Sequence, residues 1–149
     1  MKRIITTILA FTLTLTVFAQ KRAPQTREEQ LNQRYTSGLF STPDGVYFDL
    51  EGDDNASSAV SYFNVLDWLQ GRVAGLQIYN IQGRRIPVIR NQRASIYVDE
   101  MRVDADFLNA LPVTDIAMIK VIKSPFFGGW GGGGGAIAVY TKDGDEAED

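Results

Sequence analysis

The 149-residue sequence contains no cysteine and no histidine. Together these absences rule out a thiol nucleophile, a serine–histidine pair and any cysteine- or histidine-ligated zinc, iron or haem. Stability must come from packing, because no disulfide can form. Basic charge is also in short supply: 15 lysines and arginines stand against 18 aspartates and glutamates, a net charge of −3. That balance argues against nucleic acid or an anionic lipid surface as the main partner, since both are held by excess basic charge. Long apolar runs are missing as well. The best candidate, within residues 1–20, is interrupted by threonines and falls short of the roughly 20 apolar residues of a spanning helix.

Those first residues instead follow the order of a secretory signal. Lys2 and Arg3 open it, Ile4, Ile5, Ile8, Leu9, Phe11 and Leu13 form its apolar middle, and Val17-Phe18-Ala19 closes it. Cleavage after Ala19 is predicted, which leaves residues 20–149, 130 in all. Lacking a cysteine to carry lipid, the exported form should be unlipidated. Loss of Lys2 and Arg3 takes the net charge from −3 to −5, with Asp143, Asp145, Glu146, Glu148 and Asp149 gathered in an acidic tail. A chain of this length suits one domain with one core.

Residues 20–34 are polar, with Leu31 almost the only large apolar side chain, and read as a flexible lead or a loosely formed helix. Apolar residues return at Tyr35, Leu39, Phe40, Val46, Tyr47, Phe48 and Leu50 around the turn signal Pro43-Asp44-Gly45. Residues 51–58 read as a loop, without the spacing of a calcium-binding loop. Leu66, Leu69 and Val73 then fall at helical spacing. They predict a helix over residues 64–74 with Asn64 as N-cap, Gly75 as stop, and Gly71 inside it under a tightly packed neighbour. Strands are predicted over 76–81, 86–90, 95–103, 115–123 and 136–142, and a second short helix over 104–111 capped by Asp104. The result is an α+β fold, a small mixed β-sheet with two short helices. Its core should draw on Leu66, Leu69, Val73, Ile78, Ile96, Val98, Leu108, Leu111, Ile119, Val121, Ile137 and Val139.

Four segments carry a family likeness. Leu69-Gln70-Gly71-Arg72-Val73-Ala74-Gly75-Leu76 is the core of a block, residues 64–78, that resembles the helix-to-strand part of plug domains in SusC-like TonB-dependent outer-membrane receptors. Ile96-Tyr97-Val98-Asp99-Glu100-Met101-Arg102-Val103 is similar to the plug hairpin of that family. Residues 115–123 and 135–144 resemble its later strands. The likeness covers residues 64–144, and the plug-like domain is taken as 35–144, followed by the tail at 145–149. Four features depart from the family pattern. The hairpin tip is Asp99-Glu100 where the family has aspartate-glycine, so a wider turn or one of another type is expected. The loop before the last strand is Pro125-Phe126-Phe127-Gly128-Gly129-Trp130 followed by five glycines. No segment within residues 20–36 resembles a TonB box, and the residues after 144 are too few for a barrel.

Candidate partner- or ligand-binding residues are Phe126, Phe127 and Trp130 in the glycine-rich loop, and Arg84 and Arg85 in a basic stretch. Mobile aromatics bring large contact area to a partner or a sugar ring. The same side chains can instead fold back over the core while glycines supply positive φ. Arg84 and Arg85 suit an anionic ligand or an acidic surface, or the solvated face of an edge strand. Asp99 or Glu100 with Asp104 or Asp106 is the best available acid–base pair, yet acids at turns and caps are commonplace. No catalytic residue, cofactor or metal is assigned, and the protein is read as a non-enzyme. The resemblance implies an exported, barrel-less binding or accessory module of an outer-membrane receptor or large envelope complex, on the periplasmic side. The alternatives are a periplasmic domain for a small glycan or siderophore-like ligand, and a remnant or detached tail of a longer plug-containing protein.

Overall fold

A computed structural model describes residues 25–52, 54–127 and 132–142. Helix α1 (Arg27–Tyr35) is followed by strand β1 (Val46–Asp49) and helices α2 (Asp54–Ala59) and α3 (Val65–Leu69). Next come strands β2 (Leu76–Ile81), β3 (Arg84–Ile89), β4 (Gln92–Arg93), β5 (Ser95–Val98) and β6 (Met101–Val103). Helix α4 (Phe107–Ala110) and strands β7 (Ile116–Ile122) and β8 (Ala136–Thr141) complete the order. The strands form a five-stranded sheet, β1-β7-β8-β5-β6, and a three-stranded sheet, β2-β3-β4. Only β5 and β8 run parallel, so the larger sheet is mixed. The α+β expectation holds, with four helices among the described residues instead of two.

All seven residues of β7 are buried, because both faces of the large sheet are covered. Period-two alternation splits its side chains between two cores. Ile96, Val98, Ile119, Val121, Ile137 and Val139 enter one core together with Leu66, Trp68 and Leu69 of α3, Leu108 of α4 and Leu76 and Ile89 of the small sheet. Every core residue expected from the sequence lies in or against this cluster. Tyr97, Met118, Ile122, Ala136, Ala138 and Tyr140 enter the second core, under Leu31, Phe40 and Phe126. Residues 27–35, expected as a polar lead or loose helix, are therefore a covering element. Thr26 and Glu29 form a reciprocal capping box at its start, and Leu31 is its buried anchor.

Helix α3 stops at Leu69, five residues short of the predicted end. Gly71 has φ +82° with open space where a side chain would stand. The chain leaves the helix at Gln70, whose backbone is extended, and Gly71 takes the left-handed position of the tight turn that follows, closed by the Arg72 amide on the Leu69 carbonyl, with no tight neighbour. The N-cap is as expected, Asn64 Oδ1 accepting from the Leu66 amide at 2.8 Å. Part of the expected 51–58 loop is α2, and α4 begins at Phe107, with Asp106 at its cap position in place of Asp104.

The hairpin tip overturns the expected wide turn. Val98 pairs with Met101, and Asp99 and Glu100 between them both have positive φ, +46° and +63°. This is the two-residue, type I′ geometry that normally selects glycine second. Tertiary bonds hold the glutamate there. Asp99 accepts from the Thr141 amide and hydroxyl at 2.9 and 2.8 Å, while the Glu100 carboxylate accepts from the Ser37 amide at 2.6 Å and from the Ser37 hydroxyl. Glu100→Ala is expected to cost about 2 kcal/mol, and Glu100→Gly about 1 kcal/mol less because glycine removes the left-handed strain. Urea denaturation checks this; equal losses would rule out strain at residue 100.

Candidate functional site

The second core is where the aromatic loop meets the rest of the molecule. Phe126 packs into a ring cluster, its centroid 4.8 Å from Phe40 and 5.5 Å from Tyr97, with Phe40 and Tyr97 5.0 Å apart. Phe127, the next residue, points the other way and is 83% exposed. The two readings of the loop are thus divided between neighbours: Phe126 covers the core and Phe127 stands in solvent. Trp130 lies outside the described residues.

Leu39 is the counterpart of Phe127. It sits in the 3-10 turn Gly38–Ser41, where Phe40 turns inward and Leu39 is left 69% exposed. Leu39, Thr42, Ile122, Ser124, Pro125, Phe126 and Phe127 line a surface cavity of about 220 Å³. Sequence reading missed Leu39, although adjacent large apolar residues in so short a turn cannot both face one core. That spacing was the available signal.

Both walls of the cavity are held firmly. Lys120, in the middle of β7, is fully buried, and its ammonium donates to Asn32 Oδ1 at 2.6 Å and to the Phe40 and Thr42 carbonyls at 2.5 Å each. It also lies 4.8 Å from the centre of the Tyr47 ring. Burial pushes its pKa down to about 8, against the pull of Asp44 and Glu100. On the same side of the sheet, burial and then the nearby Glu100 carboxylate raise the Tyr140 phenol. On the loop side, the backbone at Gly134 and Gly135 runs against the carbonyls of Gln92, Arg93 and Ile122, leaving no room for a side chain. Asp49 is partly desolvated, which raises its pKa, but the Arg27 guanidinium and the amides of Glu51 and Gly52 outweigh that and hold it below its usual value. The Arg27 bond ties α1 to the end of β1.

The arginine candidates are brought elsewhere. Arg85 meets both carboxylate oxygens of Asp67 at 2.7 Å and Asn109 Oδ1 at 2.9 Å, fastening β3 to α3 and α4. Arg84 pairs with Asp106 at 3.3 Å on the surface. Neither reaches the aromatic cavity. Carboxylates of the candidate acid–base pair are also in structural use: Asp99 and Glu100 fix the hairpin, and Asp106 pairs with Arg84. Among the described residues no helix is long and apolar enough to cross a membrane.

No protein-family model and no curated protein matches the sequence. Solved structures do match the fold. The RagAB peptide importer in its open-open state superimposes with a TM-score of 0.54 and 19% identity, over 66% of this chain and 12% of that one. The siderophore receptor PirA from Acinetobacter baumannii gives 0.55 and 20% identity, over 80% of this chain and 19% of the receptor. A mutant of the ferric enterobactin receptor PfeA from Pseudomonas aeruginosa gives 0.54 and 19%, over 80% and 19%. This chain spans between 12% and 19% of the length of these proteins. The neighbours are transport receptors and an importer, not enzymes, and the shared architecture is that of a TonB-receptor plug-like domain.

Proposed function

We propose that this chain is an exported plug-like module of the SusC-like type that works by binding, as an accessory component of an outer-membrane receptor or a large envelope complex on the periplasmic side. The supporting observation is the pair of exposed apolar side chains, Leu39 and Phe127, on either side of the apolar cavity. Leaving two large apolar groups in water forgoes roughly 2 kcal/mol of burial for each. Their supports, Lys120 bonded to the carbonyls on either side of Ser41 and Phe126 packed on Phe40 and Tyr97, hold them in place without a partner. A protein partner offering one or two apolar side chains fits this surface. Loop aromatics also suit a small glycan or siderophore-like ligand, and that outcome is built into the test.

The test places a photo-reactive phenylalanine analogue at position 127 in cells and recovers whatever it captures. One envelope protein is expected, with capture reduced about tenfold when Leu39 is also changed to serine. A probe at the exposed Gln77 should not capture that protein. Recovery of uncross-linked chain alone, at good abundance, would sink protein docking and direct attention to small ligands of the loop.

A further inference from the structure

Among the described residues, four strands lie at a sheet edge: β1 and β6 in the large sheet, β2 and β4 in the small one. Three of them are short and carry charge, the usual protection against pairing with another chain. β4 has two residues, one of them Arg93; β6 has three, with Arg102 in the middle; β1 has four and ends on Asp49. β2 differs, with six residues that include no charge, proline or glycine and a regular register. Its hairpin closes over Gln82 and Gly83, so Ile81, Tyr79 and Gln77 bond to β3, and Arg90 donates to the Gly75 carbonyl in the same phase. The N–H and C=O groups of Ile78 and Asn80 therefore face outwards, where no described strand meets them. The side chains along this edge are apolar as well. Tyr79 and Ile81 are 48% and 53% exposed, on the same face as the half-buried Ile86 and Val88 across the ladder. Charge defines the complement. Residues 76–93 contain four arginines and no acidic residue. Arg84 and Arg85 are spent on Asp106 and Asp67, while Arg90 and Arg93 make no ion pair with a described residue. Arg90, at φ +51° in the turn to β4, is bonded to Gly75 at the Leu76 end of the open edge.

We propose that β2 accepts an extended segment of another protein as a further strand of the small sheet, a segment with alternating apolar side chains and an acidic C-terminal end. Main-chain bonds to Ile78 and Asn80 supply the affinity of such a contact, and side chains at every second position supply its specificity. The segment runs antiparallel to β2, as all pairs within this sheet do. Its apolar residues lie beside Tyr79 and Ile81, and its C-terminal end reaches Leu76 and the unpaired Arg90, where carboxylates are favoured. A second copy of this chain fits poorly, because its β2–β4 sheet brings more arginines and no acid. The tail at residues 143–149 has the charge but no large apolar residue. The small sheet packs on the first core and Phe126 on the second, on opposite faces of the large sheet. This edge is therefore separate from the Leu39–Phe127 surface and does not depend on it.

Titration of the full chain with short amidated peptides, followed by its amide resonances and their hydrogen exchange, tests the proposal. The probe alternates valine and threonine and ends in two aspartates. One control ends in two lysines instead, and another has the same composition with valines and threonines in separate blocks. Saturable shifts and slowed exchange at Ile78 and Asn80 are expected with the probe, and several-fold weaker binding with either control. Asn80→Pro removes an outward amide that β3 does not use, so it should weaken binding about tenfold while the β2–β3 ladder persists. Arg90→Asn keeps the left-handed turn and should abolish the preference for aspartate over lysine. Equal binding of either control would overturn the assignment. Concentration-dependent shifts at Ile78 and Asn80 without peptide would overturn it in favour of a second copy. Protection of these amides that disappears when the acids of residues 143–149 are changed to serine would overturn it in favour of the chain's own tail. The absence of saturable shifts up to about 1 mM probe would overturn strand addition altogether.

Discussion

Replacing Gly135 with alanine is expected to destabilise the protein by about 4 kcal/mol and lower its melting temperature by on the order of 15 °C. Two effects add at this residue. Its φ of +83° is a conformation in which any Cβ is strained, worth about 1–2 kcal/mol. The added Cβ would also run into the Ile122 carbonyl oxygen at the end of β7, closer than carbon and oxygen can approach. Neither side can yield cheaply, because Ile122 and Ala136 are paired in the β7–β8 ladder directly beside it. Gly71 provides the control. Its φ is +82°, but a methyl group added there would meet nothing within 4 Å, so Gly71→Ala should show the backbone cost alone, about 1–2 kcal/mol. Calorimetry on the two variants separates the terms. Equal losses would mean that the backbone entering β8 does not lie against the end of β7.

Lys120→Ala is expected to cost about 3–5 kcal/mol, because it takes the ammonium donor from the Phe40 carbonyl, leaves Asn32 Oδ1 and the Thr42 carbonyl with only neutral hydroxyl donors such as that of Tyr47, and opens a cavity in the sheet. Lys120→Met should be milder. It keeps the apolar stem and removes a charge whose burial is itself unfavourable. The pH dependence separates these contributions. Burial lowers the folded-state pKa of Lys120 from 10.5 to about 8, so between those values the unfolded chain binds more protons than the folded one. Stability from this group therefore rises with pH across that window, and the penalty present below pH 8 is relieved as the amine loses its proton. The groups facing the ammonium are Asn32 of α1, the two turn carbonyls and the Tyr47 ring, with Asp44 and Glu100 acting from further away. Tyr47, raised chiefly by burial, acts in the opposite direction once the unfolded phenol ionises near pH 10. Urea denaturation at pH 7 and pH 9.5 should show the wild type gaining about 2 kcal/mol on Lys120→Met. An unchanged difference between the two proteins would mean that the lysine is solvated and the turn carrying Leu39 is not pinned by it.

The half of the molecule that was legible in the sequence is the half whose periodicity is strong. Leu66 and Leu69 at helical spacing, and the alternation of Ile96 with Val98, Ile119 with Val121 and Ile137 with Val139, identified the centre of the first core, while Val65, Ile89 and Ile116 were not among the expected residues. The second core was missed because its inward positions on the same strands are Tyr97, Met118, Lys120, Ala138 and Tyr140, a mixture of small, polar and charged groups with no clear apolar signal. Its cover was missed for a related reason, since α1 anchors itself with Leu31 and otherwise docks through Arg27, Asn32 and Tyr35, which look solvated in a linear reading.

The candidate site followed the same division. Composition singled out the aromatic loop, but Phe126 and Phe127 are identical residues, and only the fold sends one to Phe40 and Tyr97 and the other to solvent. Arg84 and Arg85 were visible as charge, while their partners Asp106 and Asp67 stand 22 and 18 residues away. By itself the sequence determined the α+β class, the alternation of the large sheet and the absence of thiol and imidazole chemistry, since each depends on composition or on local spacing. Tertiary structure decided which aromatic is covered, which charges are spent and that Glu100 holds a left-handed turn, because each of these depends on energies between residues distant in the chain.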